Sequence, residues 1–382
     1  MKTLPRLEPG ENVASRVPQF RIESSLLSLV VQLTILLVLT FVSYSLSDSA
    51  SKEIVLLVQC ETQISNESEL LILAPIGNEV PSIGSALLSK YGGSAESEAA
   101  VARALIWIAN HQAVDGGWTF AHDQVCNGQC GNPGHFASSR NGATAMALLP
   151  FLGAGQTHRE GQHKDVVKRG IEYLLSHQQQ TTGSRPTGSW YEAGGTMYSH
   201  CLASIAICEA YAMTADSTLQ EPAQLSLNFL VQTQDRSGGG WRYEPKQAGD
   251  TSVVGWAVMA LKSGKMGALE VPATTLKGVN RFLSSVSSHN GSNYGYVNQR
   301  LMMDGGRPTT AIGLLCRMYQ GTPQTNAPLV SGARQLAVEG PRLQNLYGTY
   351  YTAQVLRHLG GAAMGRLEQR NARSPDRTPG QS

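Results

Sequence analysis

The sequence predicts an all-α fold, in which an outer layer of striped helices wraps an inner layer of apolar ones. The arrangement is an α/α toroid of about five helix pairs, preceded by one transmembrane helix and a short β-prone linker. Two observations carry this. Along residues 91–361, stretches with one apolar stripe alternate with stretches that are small and apolar all round. A large aromatic after glycine or serine also recurs between them: Gly117-Trp118, Ser189-Trp190, Gly240-Trp241 and Gly295-Tyr296, spaced 72, 51 and 55 residues apart. A repeat of that period denotes one supersecondary unit copied along the chain.

Residues 1–25 carry Lys2, Arg6, Arg16 and Arg21 ahead of an uncharged run over 26–46, LLSLVVQLTILLVLTFVSYSL. At 1.5 Å per residue such a run spans a hydrocarbon core of roughly 30 Å. It is too long for a signal-peptide core, and Asp48 spoils the cleavage site before Ala50, so an uncleaved anchor is expected. Only Lys52 follows closely, so the positive-inside rule puts the N-terminus in the cytoplasm. Everything after residue 47 is then exported, to the periplasm or another extracytoplasmic space.

Residues 47–90 form a linker in which Ile54–Val58 and Leu70–Leu73 read as two short strands of a hairpin. Residues 362–382, rich in Arg, Pro and small polar residues, read as a disordered tail.

Within 91–361 the striped helices are marked by Val101, Leu105 and Ile108; by Val167, Ile171 and Leu174; by Leu227, Leu230 and Val231; and by Leu276, Val279, Leu283 and Val286. A fifth spans Leu329 to Val338. The apolar helices are Ala143–Leu152, Tyr198–Met213, Val253–Leu261, Thr310–Met318 and Tyr351–Leu359. Without a polar face they must be buried on every side. Gly153, Gly264, Gly321 and Gly360 are placed to end four of them in the left-handed cap conformation. Pro150 is placed to kink the first.

Composition excludes two classes. Hydrophobic residues at 41% rule out a disordered chain, and a net charge of +2 leaves no electrostatic footprint for nucleic acid.

The segments Gln112-Ala-Val-Asp-Gly-Gly-Trp118 and Gln232-Thr-Gln-Asp-Arg-Ser-Gly-Gly-Gly-Trp241 resemble the Gln–Trp repeats of squalene and terpenoid cyclases. Protein prenyltransferase β subunits and thioester domains share that toroid. More closely, the chain resembles bacterial membrane-anchored prenyltransferase/squalene-oxidase-repeat proteins, over residues 91–361 and the anchor. The repeat itself reads as structural. A Gln at an outer-helix end satisfies orphan carbonyls, and the Trp packs between hairpins, so Asp115, Trp118 and Trp241 are mortar.

Each chemistry that the resemblance implies fails on its residues. The cyclase acid motif falls on Gln247-Ala-Gly-Asp250-Thr-Ser-Val253, with Gly249 where the protonating Asp belongs. Asp250 then reads as an N-cap and only a weak catalytic candidate. The prenyltransferase zinc site falls on Gly195 and Met197, neither a zinc ligand, before Tyr198-Ser199-His200. In the thioester segment Asn141 replaces the cysteine and Thr144 the glutamine.

One loop carries chemistry of its own. His122, Cys126, Cys130 and His135 lie within 14 residues and offer two thiolates and two imidazoles to zinc. A Cys126–Cys130 disulfide, expected of an exported protein, and two free thiols are equally open readings. Cys201, Cys208 and Cys316 read as small buried hydrophobes, and Cys60 stands alone in the linker.

His200, Asp250, Arg307 and Tyr350 stand near successive inner-helix starts and are expected to rim one mouth of the ring. The function expected is a membrane-tethered binding or scaffold module. Its partner would be an apolar, isoprenoid-like molecule or an envelope protein. The alternative is an enzyme of cyclase or transferase type acting through residues that no inherited motif identifies.

Overall fold

The computed structural model describes residues 95–359, apart from residues 132, 135, 180–186, 301–307 and 341–344. The segments 1–25, 26–46, 47–90 and 362–382, and with them the expected span, linker and tail, lie outside the described residues. Among the described residues no helix is long and apolar enough to cross a membrane.

Among the described residues, ten long helices alternate as expected. The outer ones are α1 (Ala95–Asn110), α3 (Lys164–His177), α5 (Ser217–Thr233), α7 (Ala273–Val286) and α9 (Ala327–Glu339). The inner ones are α2 (Arg140–Gly153), α4 (Thr196–Thr214), α6 (Thr251–Met266), α8 (Pro308–Tyr319) and α10 (Leu346–Leu359). Each inner helix packs on the next in chain order, α2 on α4, α4 on α6, α6 on α8 and α8 on α10. In α3 burial follows the stripe Val167, Gly170, Ile171 and Leu174, whereas α4 buries every residue from Ser199 to Cys208. The sequence pattern thus translates directly into layers. The only strands among the described residues form a two-residue ladder, Ser287–Ser288 against Asn293–Tyr294.

The mortar is regular. Gln112 Nε2 donates to the Gly116 carbonyl at 2.8 Å and to that of Val166, in the first turn of α3, at 2.9 Å. Gln178 does the same to Gly188 and Pro222, and Gln234 to Gly239 and Thr275. In these three repeats one amide therefore ties the hairpin loop to a carbonyl in the first two turns of the next outer helix. The paired indoles donate backwards, Trp118 to Ile108, Trp190 to Leu174 and Trp241 to Leu230, at 2.6–2.8 Å. The intervening glycines Gly116, Gly188 and Gly239 all have positive φ. A Cβ on Gly116 would stand 2.6 Å from the Arg169 carbonyl oxygen, so backbone closeness as well as φ demands glycine there. Asp115 binds Arg140 through both oxygens, at 2.8 and 3.0 Å, and locks the same corner.

Two local expectations need correction. The fourth aromatic of the repeat is Tyr294, 1% exposed, not Tyr296. The Tyr294 N–H donates to Thr310 Oγ1 just as the Trp118 N–H donates to Thr144 Oγ1. Of the capping glycines among the described residues, only Gly321 takes positive φ after its helix. Gly153 ends α2 without it, Gly264 lies inside α6 against Leu227, and Gly360 is outside the described residues. The longest inner helix, α4, instead closes on Ala215 at φ 49°. Pro150 sits in the last turn of α2, and the helix runs on to Gly153.

Candidate functional site

The inner-helix starts do gather at one end of the layer. The Met197 N–H donates to the Tyr243 carbonyl and the Thr251 N–H to that of Tyr296, so each start is tied to the loop of the next repeat. The start of α2 is closed by Glu192, whose two oxygens accept from the N–H groups of Asn141 and Gly142 at 3.1 and 3.0 Å. Asn141 Nδ2 reaches the Trp190 carbonyl. At α6, Asp250 accepts from the Val253 N–H at 3.0 Å, which is the capping role read from the sequence.

Asp250 is fully buried, and its second oxygen lies 3.6 Å from Arg242 Nε. Burial pushes its carboxyl above the usual range, while the Val253 N–H, Tyr296 and Arg242 pull the other way. The Tyr296 and Tyr243 hydroxyls meet at 2.7 Å beside it. Two of these helix N-termini therefore already hold a carboxylate of the chain itself, and neither needs an anionic ligand.

The four residues expected to line the rim separate. Asp250 is there. His200 is not: its ring faces the outer layer, between Trp190 and Phe229, with no exposed surface. Its Nδ1 accepts from the Trp190 N–H at 3.2 Å and its Nε2 faces the Ser226 carbonyl at 3.2 Å. His200 thus repeats the duty of Thr144 and Thr310, and burial lowers its pKa to about 3. Tyr350 is 6% exposed and stacks on Trp256, with Tyr347 and Tyr351 packed edge-on to Tyr351 and Trp256 in the same cluster. Arg307 lies outside the described residues.

The concave interior holds a polar group that the sequence reading passed over. Glu209, on α4, accepts from Ser263 Oγ of α6 at 3.1 Å, and its other oxygen has no hydrogen-bond partner. It lies within electrostatic reach of Tyr319 on α8 and Tyr350 on α10. The residue is half-buried by surface area but deep in position, because its neighbours come from three other inner helices. Burial raises its carboxyl to about 7, against the opposing Ser263 hydrogen bond. At the C-terminal ends of α8 and α10, His358 Nε2 and both amide atoms of Gln320 are buried without hydrogen-bond partners. His358 lies edge-on to Tyr319. The signal was present in the sequence: Glu209 is the one acid in the otherwise apolar run Tyr198–Met213.

Glu209 and Asp250 do not converge. Asp250 lies at the level where α4 begins, and thirteen residues separate Thr196 from Glu209, roughly 20 Å of helix.

Cys126 and Cys130 are free thiols, not a disulfide. They converge with His122 and with His111, one residue beyond α1, and the ligand atoms all lie within 4.8 Å of one another. The expected fourth ligand, His135, lies outside the described residues. Burial lowers the pKa of His111, with His122 acting in the same direction and the Trp107 carbonyl against it.

Residues 85–192 match the family model described as the squalene-hopene cyclase C-terminal domain. That stretch contains α1 to α3 with the Gln112, Trp118, Gln178 and Trp190 marks, and the same pairing continues through α10. The match supports a member of the terpenoid cyclase/prenyltransferase-like α/α toroid superfamily. No curated protein matches the chain.

Proposed function

We propose that the chain is a binding module, tethered to a membrane by residues 26–46 and facing away from the cytoplasm. Its concave interior takes a small molecule with an apolar body and a hydrogen-bonding head. The observation that carries this reading is the unpartnered carboxylate oxygen of Glu209, set among Ser263, Tyr319 and Tyr350 of three other inner helices. Buried polar atoms are paired in the great majority of cases, and one left open asks for a partner. Apolar walls with a few polar groups are the ordinary form of a small-ligand site.

Binding is favoured over turnover because Gly249 replaces the cyclase acid and Asp250 is engaged as a cap. The head should be neutral or cationic, since Glu192 and Asp250 already hold the N-termini of α2 and α6. The raised Glu209 carboxyl supports one other reading, an enzyme using it as a general acid or base.

Detergent-extracted full-length protein tests both. A prenyl alcohol, amine and diphosphate of equal length are compared by thermal shift, and each mixture is searched for products. The expected result is stabilisation by the alcohol or amine, lost in Glu209→Gln, with no product. Stabilisation by the diphosphate alone overturns the binding reading. A product that disappears in Glu209→Gln or Asp250→Asn establishes the enzymatic one. If only a co-purifying envelope protein binds, the module is a scaffold.

A further inference from the structure

We infer that His111, His122, Cys126 and Cys130 form a tetrahedral zinc site that fastens the loop after α1 to the end of that helix. Tetrahedral zinc with Zn–S near 2.3 Å and Zn–N near 2.0–2.1 Å sets its ligand atoms about 3.3–3.8 Å apart. Cys130 Sγ and His111 Nε2 already stand at 3.3 Å, and all four ligand atoms fall within 4.8 Å of one another.

The ligand orientation is prepared from outside the quartet. His111 Nδ1 contacts the Trp107 carbonyl at 2.7 Å. With a proton on Nδ1 donated to that oxygen, Nε2 turns its lone pair toward Cys130, the usual support for a metal-bound imidazole. The His111 ring stacks on Trp107 at 3.9 Å, and His122 meets both rings edge-on. His122 is only 6% exposed, and its Nδ1 has no hydrogen-bond partner. A buried imidazole nitrogen left open beside two thiols independently points to an ion. Between the cysteines the chain turns back through Asn127 and Gly128, both at positive φ, which brings the sulfurs to the same side.

Two sulfurs and two nitrogens select zinc over the harder cations. With four protein ligands no position stays open for water or substrate, so the ion is structural. Its effect is to join Cys126 and Cys130, in a loop with little regular structure, to the end of α1, just ahead of the first Gln–Trp mark. The site is separate from the interior cluster at Glu209, and either proposal stands without the other.

Metal analysis of the full-length protein, purified without chelator from zinc-supplemented cells, should give one equivalent of zinc. His111→Ala, Cys126→Ser and Cys130→Ser should each fall below about a tenth of an equivalent, while His135→Ala keeps the ion. Cobalt exchanged into the wild type should give the visible bands of tetrahedral thiolate coordination. If the alanine and serine variants do not fold, His111→Cys supplies the check, since a thiolate in that place should retain zinc. Wild-type protein without zinc overturns the site, whether its thiols alkylate freely or its intact mass reveals a Cys126–Cys130 disulfide. Loss of zinc in His135→Ala with retention in His111→Ala overturns this ligand set.

Discussion

The backbone N–H of Trp190 donates to Nδ1 of His200 across 3.2 Å, inside a stack that has no exposed surface. That bond decides what the histidine does. It holds the repeat aromatic to its inner helix, and it requires a neutral ring. His200→Ala should therefore lose about 2–4 kcal/mol, from the cavity beside Phe229 and from an orphaned N–H. Chemical denaturation measures the loss, and ligand affinity per folded molecule should not change.

The same ring gives the protein an acid limit. Its folded pKa of about 3 lies far below the ordinary histidine value of 6.5. Between those values the unfolded chain binds the proton and the native state does not. Stability is therefore complete above about pH 6.5 and falls as pH is lowered toward 3, by up to ~1.4 kcal/mol per unit from this group. Denaturation midpoints from pH 8 to 4 should show the fall. It should be shallower in His200→Thr, which keeps a hydroxyl like those of Thr144 and Thr310.

Gln234 bridges Gly239 and Thr275 with one amide nitrogen, so Gln234→Ala leaves two carbonyls without that donor and should cost about 1–3 kcal/mol. Gly239→Ala should cost more. Its φ is 83°, and an added Cβ would run into the Gly278 carbonyl of the neighbouring helix. Thermal melts of the two variants should rank in that order, and equal melts would mean that the loop relaxes freely.

How far the fold could be read in the sequence follows from what each signal depends on. The inner helices were legible because a segment without a polar face has no place but the middle, and Ser199 to Cys208 obeys. The Gln and Trp duties were legible because an amide at a helix end and an indole N–H must both find carbonyls. Position within a helix turn was harder. His200 lies one turn into α4, where a small rotation sends the ring outward instead of to the rim. The fourth aromatic was misplaced by two residues because Gly295-Tyr296 imitates the mark that Tyr294 actually fills. His111 was missed as a partner of the cysteines because it belongs to the end of another element, and closeness in space leaves no trace in spacing. Glu209 was visible as the lone acid of an apolar run, yet its meaning depends on Ser263, Tyr319 and Tyr350, which only the curvature of the inner layer brings near.

At α6 the cap and the charge can be separated. Asp250→Ala removes the acceptor for the Val253 N–H and should cost roughly 0.5–2 kcal/mol. Asp250→Asn keeps an acceptor and removes a charge that burial already disfavours, so it should stay close to wild type at neutral pH. Denaturant titration of both at pH 7.5 settles the roles. An Asn variant as damaged as the Ala variant would show that the ion pair with Arg242 carries the stability instead.

Glu209 acts in the opposite sense to His200. Its folded pKa of about 7 lies above the ordinary value of 4.5, so between the two the native state holds a proton that the unfolded chain has released. Stability then declines as pH rises through that window, and the full cost of a buried carboxylate is present above about pH 7. Glu209→Gln removes the titration while leaving an oxygen that can accept from Ser263. The variant should melt close to wild type at pH 5 and several degrees above it at pH 8. A cationic amphiphile in the interior would stabilise the ionised carboxylate and narrow that gap in the wild type alone, because the variant has no charge for it to meet. Melting both proteins at pH 5 and 8, with and without a prenyl amine, therefore reads the carboxyl and its proposed occupant together. A gap at pH 8 that the amine leaves unchanged would place the amine elsewhere on the protein.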